Sequence, residues 1–220
     1  MKTYVLNLPE DTARLESFRA GYPACLPTCD VWAAKTAEEI EIPAWWQRSP
    51  RFASHRQNFI DLMTACVADD ETYMIFEDDC LFSETFEDDY NAFLAEVPHD
   101  WEMLNLCVHH AQNAVFLPQQ ISARVLRPRY GYTTSAILVT PAGARKVKEN
   151  LELPDWGCGH VTERQLALLY LDPYFRIYSP LTHFTGQRGG WSTLCQRERE
   201  EFWFNRFRYI DLHGNLVDKE

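Results

Sequence analysis

The chain of 220 residues is poor in the residues that mark fibrous or low-complexity proteins, with nine glycines and twelve prolines. A collagen-like repeat or a long disordered linker needs far more of both. Hydrophobic residues make up 46% of the sequence, which is enough apolar material for one sizeable core. We therefore expect a single domain over residues 1–220, in which residues 192–220 form a C-terminal extension rich in aromatic and basic side chains. The aromatics of this extension are expected to pack against the fold, as a helix on the sheet, with a lid and a dimer contact as the alternatives.

Long apolar runs are also absent. A membrane-spanning helix needs about twenty consecutive apolar residues, and no stretch of the sequence approaches that length. The apolar run near the amino terminus is shorter than a signal peptide requires, and acidic residues follow it at once. These features predict a soluble cytoplasmic protein without a membrane span, and they leave its oligomeric state open.

The seven cysteines are odd in number and scattered, which argues against a disulfide framework. Cys66, Cys80 and Cys107 lie in apolar stretches, where cysteine behaves as a small hydrophobic residue. Cys25 and Cys29 have three residues between them, a wider spacing than a CxxC redox pair, and no second Cys or His pair with zinc-ligand spacing accompanies them. The sequence therefore favours free, structural cysteines over a zinc site.

Basic residues are scarce and unevenly placed in a chain whose formal net charge is −11. Asp69–Glu102 contains thirteen carboxylates and no Lys or Arg, whereas outside it nineteen acids face twenty-one bases. Gln119–Lys148 holds six bases and no acids. This distribution argues against a broad basic face for nucleic acid, but it permits a site where an acidic cluster and a basic stretch meet one ligand.

Short apolar runs alternate with helix signals along the chain. Helix starts are predicted at Pro9, at the capping boxes Ser54–Gln57 and Thr162–Gln165, and at Thr140-Pro141. In the helix after Ser54, one face is predicted to be apolar, since apolar residues recur at helical spacing at Phe59, Leu62, Met63, Cys66 and Val67. The predicted strands are Thr3–Leu8, Asp30–Ala34, Tyr73–Phe76, Trp101–Val108, Thr133–Val139 and Phe175–Pro180. The alternation predicts an α/β fold with a single, mostly parallel sheet flanked by helices.

The most informative motif is Glu77-Asp78-Asp79, which directly follows the apolar strand Tyr73–Phe76. Ligands bind at the carboxyl ends of strands in open α/β sheets, and strand alternation puts Glu77 and Asp79 on one side with Asp78 on the other. Three adjacent carboxylates repel one another, and Mn²⁺ or Mg²⁺ would remove that cost. We predict a metal site here, with a solvated acidic turn as the alternative; Glu87–Asp89 is predicted to lie on an exposed helix.

Four segments, in order, resemble glycosyltransferase family 25, the group that includes lipooligosaccharide glycosyltransferases and collagen galactosyltransferases. They are YVLNL with the following Arg14, Ser54-His55 at a helix start, YMIFEDDCLF, and TTSAILVTPAGARKV. The resemblance covers roughly residues 1–185, and it departs from the family where Arg51-Phe52-Ala53 replaces the Gly-Cys often found before Ser-His. It implies a GT-A fold, a Rossmann-like sheet that binds a nucleoside-diphosphate sugar, with a UDP-sugar as the first candidate.

The resemblance also implies roles for residues in the first half of the chain. Asp79 would be the main Mn²⁺ ligand and Glu77 the second, with Asp78 beside the donor diphosphate. The residues expected to meet the donor base, ribose or phosphates are Leu6, Asn7, Leu8, Arg14, Ser54 and His55. A helix cap, a surface arginine and a plain capping box are the alternatives for these positions.

Late residues complete the predicted site. His183, after the last predicted strand, is the candidate for a further metal ligand, with a hydrogen-bonded loop histidine as the alternative. Arg188 would neutralise the leaving diphosphate. The resemblance implies an inverting reaction, which needs a carboxylate base at the acceptor hydroxyl. Asp155, predicted to lie in a loop, is the first candidate and Glu163 the second, because the preference of acids for helix N-termini explains Glu163 equally well.

Three other functions stay open. A glycosyltransferase of this kind could act on a hydroxylated base in viral DNA instead of a glycan, since Gln119–Lys148 is basic. A nucleotidyltransferase also pairs carboxylates with an α/β sheet, but it would have a glycine- and lysine-rich loop after the first strand, where this chain reads NLPEDTARLE. A non-catalytic binding domain would carry the acidic motif as a surface turn.

Overall fold

The structure, a computed structural model, describes residues 1–154 and 161–219. The helices α1 to α5 of this part are Thr12–Gly21, Pro50–Asp69, Phe86–Glu96, Pro141–Glu152 and Thr162–Leu169, with short 3₁₀ helices at Ala37–Glu39 and Ala114–Phe116. The strands β1 to β16 are Lys2–Asn7, Asp30–Ala33, Tyr73–Glu77, Cys80–Phe82, Met103–Asn105, His109–His110, Gln119–Gln120, Val125–Arg127, Gly131–Tyr132, Ala136–Val139, Ile177–Pro180, Thr185–Gln187, Gly190–Ser192, Arg197–Arg199, Phe207–Ile210 and Leu216–Lys219.

Ten of these strands form one central sheet, in the order β16-β15-β7-β8-β11-β5-β10-β3-β1-β2. Seven of them run in one direction, and β8, β10 and β16 run against it. The predicted fold class, α/β with a large and mostly parallel sheet flanked by helices, is confirmed. No helix in the described ranges combines the length and the hydropathy that crossing a membrane requires.

Both faces of the sheet are covered, and the central strands β3 and β10 are apolar at every position except Glu77, as expected for a sheet buried on both sides. On β3 and β10 successive side chains alternate between two separate cores, as the strand geometry requires. One core joins Tyr73, Ile75, Ile137 and Val139 to α2, α4 and α5. The apolar stripe predicted on α2 faces this core, and its residues Phe59, Leu62, Met63 and Cys66 are fully buried.

The second core lies on the opposite face of the sheet. It packs Met74, Phe76 and Leu138 against α1 and α3, which contribute Phe18 and Phe93. The first turn of α3 carries Glu87, Asp88 and Asp89, so the second acidic run lies on a helix, as predicted.

Two helix starts differ from the predicted capping boxes. α2 begins at Pro50, so Ser54 lies inside the helix and its hydroxyl donates to the carbonyl of Arg51 at 3.0 Å. A proline preset for the first helical position supplies the start instead. α5 begins at Thr162 itself, and the Thr162 hydroxyl is hydrogen bonded to His55 rather than to its own helix. Thr140 is confirmed as an N-cap, because its Oγ1 accepts from the Gly143 amide at 3.1 Å.

The first helix also starts later than predicted, at Thr12 after Asp11, so neither Asn7 nor Leu8 caps it. Strand β10 runs antiparallel to both neighbours, with Ala136 paired to Phe76. The residues that precede β10 therefore lie beside the carboxyl end of β3, and the Glu77 amide donates to the Ser135 carbonyl at 2.9 Å.

The C-terminal residues, for which a helix, a lid and a dimer contact were all open, form strands in the described part. β13 and β14 pair as a hairpin, and β15 and β16 extend the central sheet next to β7. Phe204 and Phe207 are buried, which agrees with the prediction that these aromatics pack against the fold.

Candidate functional site

A cavity of about 370 Å³ opens at the carboxyl ends of β1 and β3, and we call it the first cavity. The sequence folds this way because β1 and β3 are adjacent and parallel, which brings their ends to one edge of the sheet. The predicted site residues that line the first cavity are Leu6, Leu8, Arg14, Ser54, His55, Glu77, Asp78, Asp79 and Glu163.

Glu77 is held by a buried chain of polar contacts. His55 Nε2 lies 3.3 Å from Glu77 Oε1, and His55 Nδ1 lies 2.8 Å from the hydroxyl of Thr162. The Thr134 hydroxyl donates to the same Glu77 oxygen. Burial lowers the pKa of His55, but the hydrogen bond and charge of Glu77 outweigh it and the net shift is upward. The histidine is therefore suited to neutralise Glu77 as an imidazolium.

The second carboxylate, Asp78, is paired with Arg14. Arg14 Nε donates to Asp78 Oδ1 at 2.9 Å, a terminal nitrogen lies 3.6 Å from Asp79 Oδ2, and the other donates to the Trp191 carbonyl at 3.2 Å. All three carboxylates thus line one cavity, rather than dividing between two sides as strand alternation predicted, because β3 ends at Glu77 and the chain turns there.

The third carboxylate, Asp79, has one oxygen that lacks a hydrogen bond. Its Oδ1 is buried, and no group in the described part of the chain bonds to it. Burial, followed by the charge of Glu77, raises the pKa of Asp79 to about 7. Residues 1–154 and 161–219 contain no group of three or more His, Cys, Asp or Glu side chains that could together hold a metal ion. Glu77 and Asp79 would supply only the one or two carboxylates that Mn²⁺ or Mg²⁺ takes when phosphate oxygens and water complete its shell.

A larger cavity of about 700 Å³ adjoins the first, and we call it the second cavity. Its walls come from β9, the start of α5, the β13–β14 hairpin and the segment after it. The two cavities share Glu163, Leu194 and Arg199. Burial, followed by the negative charge of Glu77, raises the pKa of Glu163. This carboxyl group is therefore accessible from both cavities and has a greater proton affinity than an exposed glutamate.

Three predicted residues do not reach the first cavity. His183 is a correction: its Nε2 accepts from the Val108 amide at 3.2 Å, and its ring contacts His110 and Phe207 instead of the carboxylates. Arg188 also points elsewhere, since its guanidinium donates to the Ser17 carbonyl at 3.1 Å.

Asn7 is buried beside the first cavity without lining it, and its side-chain amide donates to the Leu8 carbonyl. Asp155, the other base candidate, lies outside the described residues.

Sequence reasoning missed Arg199, which lines both cavities. No local signal marks it, because it arrives through the pairing of β13 with β14. Thr134 was also missed, although its place just before an apolar strand marked it as a strand-end residue. Asn58, which ties α2 to both the amide and the carbonyl of Lys35, lay in the predicted helix without any motif of its own.

The basic stretch Gln119–Lys148 does not line either cavity except at Tyr132 and Thr133. Several of its bases are paired within the fold: Arg124 lies near Asp89 and Glu96, Lys146 bonds Glu102, and Lys148 bonds Glu152. The stretch therefore gives no support to the alternative of a DNA acceptor, which depended on it.

No protein-family model matches the chain, and no curated protein matches it. Two solved structures are similar at low identity. A197 from STIV is 8% identical with a TM-score of 0.42, and the match covers 100% of this chain and 95% of that one. A glycosyltransferase involved in the glycosylation of the major capsid of PBCV-1 is 12% identical with a TM-score of 0.45, covering 83% of this chain and 84% of that one. Likenesses of this degree say nothing about activity, which has to be argued from the site.

Proposed function

We propose that the protein is a glycosyltransferase that moves a sugar from a nucleoside-diphosphate sugar, a UDP-sugar in the first instance, to a hydroxyl of a glycan or similar acceptor. The supporting observation is the pair of adjoining cavities that share Glu163. Transfer between two bound substrates needs two neighbouring sites and an acid–base group between them. The first cavity suits the donor, because it lies at the carboxyl ends of parallel strands and collects the carboxylates.

The proposed reaction is a direct displacement. The acceptor hydroxyl gives its proton to the Glu163 carboxylate while its oxygen forms a bond to the anomeric carbon. The bond from that carbon to the diphosphate breaks, and its electron pair leaves on the diphosphate. A single displacement inverts the anomeric centre. Asp155 remains the alternative base.

Charge on the leaving diphosphate needs compensation in this acidic site. The cationic side chains of Arg14, Lys35, Arg51 and Arg199 line the first cavity. The positive charges of Arg14 and Arg199 act on Asp79. Mn²⁺ or Mg²⁺ held by Asp79 and Glu77 would supply Lewis-acid stabilisation of the same charge. His55 would act as a positioning residue that keeps Glu77 oriented and partly neutralised.

Isothermal titration with UDP, with and without Mn²⁺, tests the donor site. We expect Mn²⁺ to tighten UDP binding by tenfold or more in the wild type, and Asp79→Asn to abolish that gain because a metal ligand is lost. Asp88→Asn on the exposed face of α3 is the matched control and should bind like the wild type. If UDP binds no better with Mn²⁺ and Asp79→Asn changes nothing, the enzyme assignment is wrong and a binding domain remains.

The base is tested separately by the rate of sugar transfer or donor hydrolysis. Glu163→Gln removes the proton acceptor while keeping the shape of the side chain. We expect it to lower turnover by about 10²- to 10⁴-fold, the usual contribution of a general base, with UDP binding unchanged. Full activity in Glu163→Gln would move the role of base to Asp155.

A further inference from the structure

The second cavity concentrates arginine in a chain whose net charge is −11. Arg164, Arg197 and Arg199 line it, together with Arg48. Arg197 and Arg199 are two residues apart on β14, which places them on the same side of that strand. Arg164 follows Glu163 in the first turn of α5, so it stands next to the shared carboxyl group.

The surroundings of Arg164 and Arg197 decide whether their charges are available to a ligand. Glu198 and Glu200 also line the cavity. Even so, within residues 1–154 and 161–219, Arg164 and Arg197 have no carboxylate inside the 4.0 Å ion-pair distance. Both side chains are exposed. A guanidinium presents a planar fork of donors that matches the oxygens of a phosphate in two parallel hydrogen bonds.

An aromatic wall faces the same space. His109, Tyr132 and Phe202 line the cavity, with ring centroids 6.2 Å apart for His109 and Tyr132 and 5.7 Å apart for His109 and Phe202. Phe202 is 45% exposed, and its ring centroid lies 4.6 Å from that of Phe204, which also lines the cavity. Exposed rings of this kind offer a face on which a flat ring stacks.

We propose that the second cavity binds a ring that carries a phosphate, with the ring on the aromatic wall and the phosphate on Arg164 and Arg197. A cavity of about 700 Å³ has room for such a ligand. A neutral glycan would form no ion pair with these guanidiniums, whereas a phosphate would. The identification of this ligand as the acceptor rests on the proposed function, whereas the binding site itself does not. The phosphate-bearing ring has two sources, a sugar phosphate and a nucleotide.

Titration calorimetry with matched probes tests the proposal. The probes are glucose 6-phosphate against glucose and thymidine 5′-monophosphate against thymidine, each added to the whole chain with and without saturating UDP and Mn²⁺. We expect at least one phosphorylated probe to bind tenfold or more tightly than its neutral partner, and to weaken as salt rises. The tighter of the two phosphorylated probes identifies the source.

Variants locate the binding. Arg164→Gln and Arg197→Gln should each weaken the phosphorylated probe by tenfold or more, while Arg145→Gln, on the exposed side of α4, should not. Phe202→Ala should weaken both the phosphorylated and the neutral ring.

Two results overturn the proposal: neither phosphorylated probe binds, or the Arg164→Gln and Arg197→Gln variants bind the phosphorylated probes like the wild type. Failure of the proposed function appears instead as absent UDP and Mn²⁺ binding in the wild type, so the two failures are distinguishable.

Discussion

Acidification should destabilise the fold through two buried histidines beneath the C-terminal strands. His110 is 1% exposed and His183 is 3% exposed, and the His110 ring lies 4.7 Å from that of Phe207 on β15. Neither ring nitrogen of His110 has a hydrogen-bond partner in the described part of the chain, nor has Nδ1 of His183. Burial lowers the pKa of both side chains, that of His183 to about 3, and the charges of His109 and Lys219 act in the same direction.

The sign follows from proton uptake. Below the ordinary histidine value of 6.5 the unfolded chain gains protons on both residues and the folded chain does not. Stability is therefore fully present above this pH and falls by about 1.4 kcal/mol per pH unit for each histidine as the pH drops. Between pH 6.5 and pH 5 the two together remove about 3 kcal/mol, a large share of the roughly 5–15 kcal/mol typical of a domain. Burial lowers the pKa of Lys219 to about 8, so its titration lies above this window.

Urea unfolding followed by tryptophan fluorescence at several pH values between 7 and 5 measures this loss. The double variant His110→Phe with His183→Gln removes both titrating rings, while glutamine retains an acceptor for the Val108 amide. We expect this variant to lose much less stability over the same range than the wild type. His99→Gln, at an exposed position, is the control and should keep the wild-type slope. An equal slope in the wild type and the double variant would refute the reasoning.

Two further changes test packing and charge. Gly143→Ala should cost about 1–3 kcal/mol by urea unfolding, because the new Cβ would lie 2.0 Å from the Glu102 carbonyl oxygen, whereas Gly21→Ala meets nothing within 4 Å and should be neutral or stabilising. Arg14→Met should cost about 3 kcal/mol, the lower end of the range for a broken buried pair since Arg14 is 30% exposed, and adding Asp78→Asn should recover part of it. Equal stabilities within either comparison would contradict these assignments.

The sequence was informative where local pattern and tertiary environment agree. The apolar runs at β1, β2 and β3 predicted strands within a residue or two, since each is short and bounded by turn or helix signals. The apolar residues at helical spacing on α2 predicted a buried face, and Phe59, Leu62, Met63 and Cys66 are fully buried. The carboxylates Glu77–Asp79 at the end of β3 and Leu6 and Leu8 at the end of β1 line one cavity, because adjacent parallel strands end at one edge.

Prediction failed where a long-range contact decides the outcome. The capping boxes at Ser54 and Thr162 were wrong, because Pro50 starts one helix and Thr162 bonds His55 from another. His183 follows a late strand as expected, but the sequence does not reveal that β11 lies across β5 and β10 from β3. Arg199 lies in the site because β14 pairs with β13, and no local sequence pattern predicts that pairing.

The reversed strand β10 has a consequence for how the second cavity can be altered. β5 ends, and β10 begins, at the same edge of the sheet, so the connection over residues 106–135, which includes β7 and β8 of the central sheet, begins and ends beside the candidate site. This connection carries His109, Tyr132 and Thr133 of the second cavity, whereas Glu77 is held by β3, His55 and Thr134. Replacing the side chains of His109 and Tyr132 would change the shape of the second cavity and leave the contacts of the three carboxylates in place. The topology thereby allows the shape of the second cavity to be changed without changing the arrangement of the carboxylates in the first.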